Sequence, residues 1–112
     1  WYANYLPYSI ERKEIDYLIM ESSDKVNVNK MDLIEFQKGT LNKDHINKCL
    51  LYSKWINYKL AKGTNLTRPI IICEQFRDLE NYICSAEKTY GTNSLEIYTI
   101  NFKDGITIEK RR

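Results

Sequence analysis

The sequence predicts an α/β domain: a central mixed sheet whose elements run βββαβαβ along the chain. Three observations predict it. The first third holds short runs of aromatic and β-branched residues with no helical spacing. A long stretch after Gly39 carries apolar residues at three-and-four spacing, as an amphipathic helix does. The second half then alternates strand-like and helix-like patterns, which makes neighbouring strands parallel.

Residues Trp1 to Tyr8 are aromatic-rich and include Pro7, which suits an edge strand leading into a turn. Ile15 to Met20 is the next strand. The polar stretch Glu21 to Asn29 reads as a loop or hairpin tip. Met31-Asp32-Leu33-Ile34-Glu35-Phe36-Gln37 is the third strand, and the simplest connection makes the three an antiparallel meander.

Thr40 or Asn42 is positioned to cap a helix from Lys43 to Lys62. Its apolar stripe is Ile46, Cys49, Leu50, Ile56 and Leu60. A second stripe of His45, Lys48, Tyr52, Trp55 and Lys59 lies within about 80° of arc. The Gly63 to Thr67 segment is a polar loop. Pro69-Ile70-Ile71-Ile72-Cys73 is apolar throughout, as in a strand buried on both faces. Asp78 starts a second helix with Leu79, Tyr82, Ile83, Ala86 and Tyr90 on one face, and Gly91 stops it. Leu95 to Phe102 is a further strand. Asp104-Gly105 signals a hairpin into a short strand at Ile106 and Ile108, and Lys110-Arg111-Arg112 reads as a frayed tail.

The 112 residues suffice for one small domain with one core, and the chain reads as residues 1–112 of a single unit. The start at Trp1-Tyr2, without an initiator methionine, reads as a piece of a longer protein. No apolar run reaches membrane-spanning length, and no signal-peptide pattern opens the chain. A formal charge of +2 does not by itself imply nucleic-acid binding. Cys49, Cys73 and Cys84 are odd in number, far apart and set in apolar patterns, which reads as reduced core thiols in a cytoplasmic protein. With one histidine, any bound metal takes oxygen ligands, which favours magnesium or manganese over zinc.

Glu35 stands out because it is a carboxylate inside an apolar strand. Burying it costs several kcal/mol unless a cation meets it. Gln37, two residues on, shares its strand face. Asp16 is an acid on the neighbouring strand. Two such carboxylates brought together repel unless they share a proton or a cation. A divalent ion solves that problem, with the backbone carbonyl of Phe36 as a third oxygen, and it would activate water beside a phosphate. Taken singly, Asp16 also reads as a turn-capping acid paired with Arg12, and Glu35 as a solvent-facing residue of an edge strand. Lys48 also reads as a solvated helix lysine, and Tyr52 and Trp55 as flank packing.

Ile15-Asp16-Tyr17-Leu18, Leu33-Ile34-Glu35-Phe36-Gln37 and the helix and strand after them resemble the PD-(D/E)XK nuclease superfamily, with its restriction-endonuclease-like fold. The similarity spans about Arg12 to Phe102. In that family an acid on one strand and an acid-x-lysine on the next hold magnesium. In the RecB-like and archaeal-type branches the following helix often reads Gln-x-x-x-Tyr. The matching stretch here is Lys48-Cys49-Leu50-Leu51-Tyr52. Gln37 stands where the strand lysine is expected and Lys48 where the helix glutamine is expected; the family's first helix is missing. The resemblance implies a magnesium-dependent DNA endonuclease of restriction or repair type, with Mg2+ or Mn2+ on Asp16, Glu35 and the Phe36 carbonyl. Gln37 and Lys48 would complete the catalytic set, Lys48 supplying the displaced ammonium. Lys48, Tyr52 and Lys59 would contact DNA, and the protein would act as a homodimer or within a larger protein. The alternatives are a non-catalytic member that binds nucleic acid or scaffolds a larger enzyme, and an unrelated small α/β interaction domain.

Overall fold

The computed structural model describes residues 2–8, 13–22, 28–59 and 66–112, with side chains described in 31–59 and 66–112. The elements are β1 (Tyr2–Tyr8), β2 (Lys13–Ser22), β3 (Val28–Thr40), α1 (Lys43–Lys59), β4 (Thr67–Gln75), α2 (Glu80–Tyr90), β5 (Glu96–Asn101) and β6 (Thr107–Lys110). All six strands form one mixed sheet in chain order. β1, β2 and β3 are the expected antiparallel meander. β4 is parallel to β3 on one side and to β5 on the other, and β6 returns antiparallel to β5.

A parallel pair cannot be joined by a tight turn, so α1 and α2 carry the crossovers. Asn42 caps α1: its Oδ1 accepts the His45 N–H at 2.9 Å. Such a cap contributes about 1 kcal/mol. At the far end of α1, the buried Asn57 Oδ1 accepts from the Leu66 and Thr67 N–H groups and from the Thr67 hydroxyl, at 3.2, 3.0 and 2.6 Å. That side chain ties the last turn of α1 to the start of β4. In α2, the Asp78 carboxylate accepts the Glu80 N–H one residue ahead of the Leu79 N-cap. Gly91, at φ 67°, ends the helix in the left-handed conformation that glycine adopts most readily.

Both helices cover the same face of the sheet. Leu33, Ile71 and Ile97 from the three parallel strands meet Ile46, Cys49, Leu50 and Ile56 of α1 and Ile83 and Ala86 of α2. Each fully enclosed Leu or Ile contributes about 1.5–3 kcal/mol by leaving water. No helix among the described residues is long and apolar enough to cross a membrane.

The structure corrects several expectations. β3 is longer than Met31 to Gln37 because its ends also pair, to β2 at Val28 and Lys30 and to β4 at Thr40. The described part of α1 ends at Lys59, and Leu60 to Lys62 lie outside the described residues. Cys84 is half-buried and not a core thiol, one helix position off the Ile83 and Ala86 stripe. The C-terminus is not frayed. Lys110 pairs with Tyr98, and the Arg112 main chain exchanges hydrogen bonds with Ile97. The Arg112 guanidinium lies 2.7 Å from Glu80 and 2.8 Å from Glu87, which stand on α2, and it also donates to the Leu95 carbonyl. Arg112 therefore pins β5 to α2. Its removal takes the guanidinium from the partly buried Glu87 carboxylate, which the Leu95 N–H still meets, so Arg112→Ala is expected to cost about 1–3 kcal/mol in urea unfolding. Lys110→Ala, at an exposed pair with Glu96, is expected to cost less than about 1 kcal/mol.

Candidate functional site

β3 is the strand that builds the site. Along it Met31, Leu33, Glu35 and Gln37 point to the helix face, and Asp32, Ile34, Phe36 and Lys38 to the other. Glu35 thus continues a buried row that starts with two core residues. It is 5% exposed, on a strand with neighbours on both sides, so the reading that sets it in solvent on an edge strand does not hold.

The cation beside it comes from the helix. Lys48 stands in the second turn of α1, and its Nζ lies 3.7 Å from Glu35 Oε2. The same Nζ lies 5.6 Å from the centroid of the Tyr52 ring, one turn further on. The ammonium is therefore held between a carboxylate and an aromatic face, both of which favour a cation. Its side chain is still 43% exposed, so the pair opens to solvent on the lysine side only. Gln37, half-buried, is level with Cys73 of β4, one residue pair beyond the exposed Phe36.

Asp16 lies on β2 next to Tyr17, which pairs with Ile34 of β3. One step further along the two strands stand Asp16 and Glu35, where the described β2–β3 ladder ends. β2 there continues against β1, from Ile15 to Lys13, and β3 continues against β4, from Glu35 onward. The Asp16 side chain lies outside those described, and it is the strand position of Asp16 alone that sets it beside Glu35. Among the described residues no three acids, histidines or cysteines gather as a metal cluster.

The other expected residues fall into two groups. Lys59 sits eleven residues beyond Lys48, about 16 Å along the same helix face, with its Nζ 5.2 Å from the Tyr58 ring. Tyr52 is 1% exposed and packed in the core, which corrects its expected role as a surface for nucleic acid. The signal was in the spacing: Tyr52 lies three residues after Cys49 and four before Ile56, within the buried stripe. Trp55 is half-buried against the same core. Glu74 is an exposed strand-end residue, and its Oε1 accepts the Gly39 N–H at 3.0 Å. Sequence reasoning gave Asn57 no role, although a buried asparagine before a loop is a natural tie for free N–H groups.

His45 borders the site, one turn before Lys48. Burial and the nearby Lys48 ammonium hold its imidazole below the usual histidine range. Its buried Nδ1 has no hydrogen-bond partner among the described residues, which disfavours a second ring proton. No family model, no curated protein and no solved structure matches the chain.

Two outcomes follow. Lys48→Met leaves the Glu35 carboxylate buried without its ammonium. It is expected to cost about 1–3 kcal/mol in urea unfolding, and adding Glu35→Gln to the same chain is expected to recover most of that loss. For His45, the unfolded chain takes up the proton near pH 6.5 and the folded chain only at lower pH. Stability is therefore expected to fall as pH drops through 6.5, and His45→Gln to flatten that fall in unfolding curves between about pH 7 and about pH 5.

Proposed function

We propose that the chain is a magnesium-dependent DNA endonuclease domain with a restriction-endonuclease-like core, hydrolysing phosphodiester bonds. The observation that supports this reading is the buried Glu35 carboxylate, with the Lys48 ammonium 3.7 Å away and Asp16 at the adjoining strand position. An enclosed carboxylate is costly, and one whose ammonium partner opens to solvent suits a site better than a core.

The donors fit a hard cation: carboxylate oxygens of Glu35 and Asp16 and the carbonyl of Phe36, with no thiol or imidazole among them. When bound, magnesium supplies positive charge against the phosphate and acidifies water. The chain's own residues do the rest. Gln37, on the Glu35 face, orients the attacking water through its amide. Lys48, half-exposed on its helix, has room to turn its ammonium from Glu35 to a phosphate oxygen and to stabilise charge there as water attacks phosphorus in line. Lys59, further along the same face, would hold a second phosphate of the backbone.

One observation favours a second reading, a non-catalytic member of the same fold. The Lys48 pair already compensates Glu35 without a metal, and Gln37 brings no charge of its own. Cleavage of plasmid DNA with Mg2+ or Mn2+, with a chelator control, separates the two. The expected result is metal-dependent nicking, reduced at least about 100-fold in Asp16→Ala, Glu35→Ala and Lys48→Ala. Titration calorimetry with Mn2+ is expected to show binding lost in Glu35→Ala, a readout independent of turnover. No cleavage by the unaltered chain, or cleavage unchanged in Asp16→Ala and Glu35→Ala, overturns the enzyme reading.

A further inference from the structure

The parallel strands β4 and β5 end at the same edge of the sheet, where the antiparallel β6 begins. Counting on from the Cys73 and Thr99 pair sets Gln75 level with Asn101, and Phe76 level with Phe102. These strand ends and β6 frame a cleft of about 1040 Å³. That volume is at the upper end of the range for small-molecule sites. The cleft opens at the carboxyl ends of parallel strands, the end of an open α/β sheet at which ligands bind. It stands off the Glu35 site. Glu35 is level with Ile71 of β4, and Gln75 lies four residues further along, about 13 Å.

Several polar groups at the cleft are already engaged. Glu109 holds Arg111 at 2.9 Å, the Arg111 Nε donates to the buried Thr99 hydroxyl at 3.0 Å, and Glu74 accepts the Gly39 N–H. The Gln75 amide oxygen accepts from the Thr40 hydroxyl, and that of Asn101 from the Lys103 N–H. The side-chain NH2 groups of Gln75 and Asn101 and the Lys103 ammonium line the cleft with no partner among the described residues. All three are donors, and one is a cation. Beside them lie two phenyl rings, Phe76 at 38% and Phe102 at 64% exposure. A ligand that answers all of these groups is flat and aromatic, carries acceptors at its edge and bears a negative charge. A nucleotide has each feature: a stacking base, ring nitrogens and carbonyls that accept, and a phosphate. A bare phosphate would leave both rings in water, and an apolar ligand would take no hydrogen bond from the amides.

We propose that this cleft binds a nucleotide, free or within a single strand. The base stacks on the phenyl rings, the Gln75 and Asn101 amides donate to its edge, and Lys103 meets the phosphate. The stack supplies affinity for any base, while the amide donors favour bases with acceptors at the matching edge. The proposal does not rest on the nuclease reading, since the cleft uses no residue of the Glu35 site and needs no metal.

Titration followed by heteronuclear NMR, with a chelator present to exclude cleavage, tests it. The probes are a deoxynucleoside monophosphate, the matching nucleoside, a ribose phosphate and a short single-stranded oligonucleotide. The monophosphate is expected to shift the side-chain amide signals of Gln75 and Asn101 and to bind with a Kd below about 1 mM. Phe102→Ala, at an exposed position, is expected to weaken that binding at least about 5-fold, the loss of one base stack, with an unchanged circular dichroism spectrum. Lys103→Gln is expected to weaken the monophosphate and leave the nucleoside unchanged. Tighter binding of the oligonucleotide than of the monophosphate, weakened in Phe102→Ala, assigns the cleft to a strand; equal or weaker binding assigns it to a free nucleotide. No binding of either at about 1 mM overturns the proposal. So does binding indifferent to Phe102→Ala, a ribose phosphate held as tightly as the monophosphate, or a Lys103→Gln loss shared equally by the nucleoside.

Discussion

Parallel pairing of β4 with a strand on each side is the constraint from which the rest of the architecture follows. Each parallel step needs the chain to cross back over the sheet, and both crossings use a helix on the same face. The first crossing is fixed at both ends. At one, the Leu41 N–H donates to the Gln75 carbonyl where β3 gives way to α1; at the other, Asn57 holds Leu66 and Thr67. With its ends set, α1 has little freedom to rotate about its axis. Its buried stripe seats on Leu33 and Ile71, and Lys48, one position before Cys49, arrives beside Glu35. The ion pair is thus a result of the crossover geometry, not an independent contact.

That dependence explains which parts of the molecule the sequence made legible. Elements written in apolar patterns or in turn chemistry were readable: the strands of the meander, the α1 stripe, the Ile70 to Ile72 strand, the α2 face and the Asp104-Gly105 hairpin. Elements held by polar groups were not. Val28 at the start of β3 is cut off from the apolar run by Asn29 and Lys30, and Lys38, Gly39 and Thr40 end it, so hydrophobicity does not mark these ends as paired. Arg112 looks like a solvated tail until α2 is folded and Glu80 and Glu87, two turns apart, lie on one side to receive it. Asn57 and Thr67 are ordinary polar residues until the crossover brings them together. For the site, the oddity of Glu35 was visible from its neighbours alone, while Lys48 was singled out only through the resemblance, as a displaced ammonium, and its place beside Glu35 came with the fold. The DNA contact that the resemblance implied for Tyr52 gives way to the packing reading, which its spacing from Cys49 and Ile56 already supported.

A lysine carried by the helix differs physically from one on the strand. A strand lysine two residues from Glu35 would share its enclosed row and lose hydration along its length. Lys48 reaches the carboxylate from a half-exposed side chain, with its ammonium over the Tyr52 ring, and keeps part of its hydration. The pairing is therefore easier to open than that of two fully enclosed charges, where separation would leave both uncompensated. For the proposed chemistry this matters, because an ammonium locked permanently on Glu35 could not serve a phosphate. For a purely structural pair the same half-exposure would be a weakness without purpose.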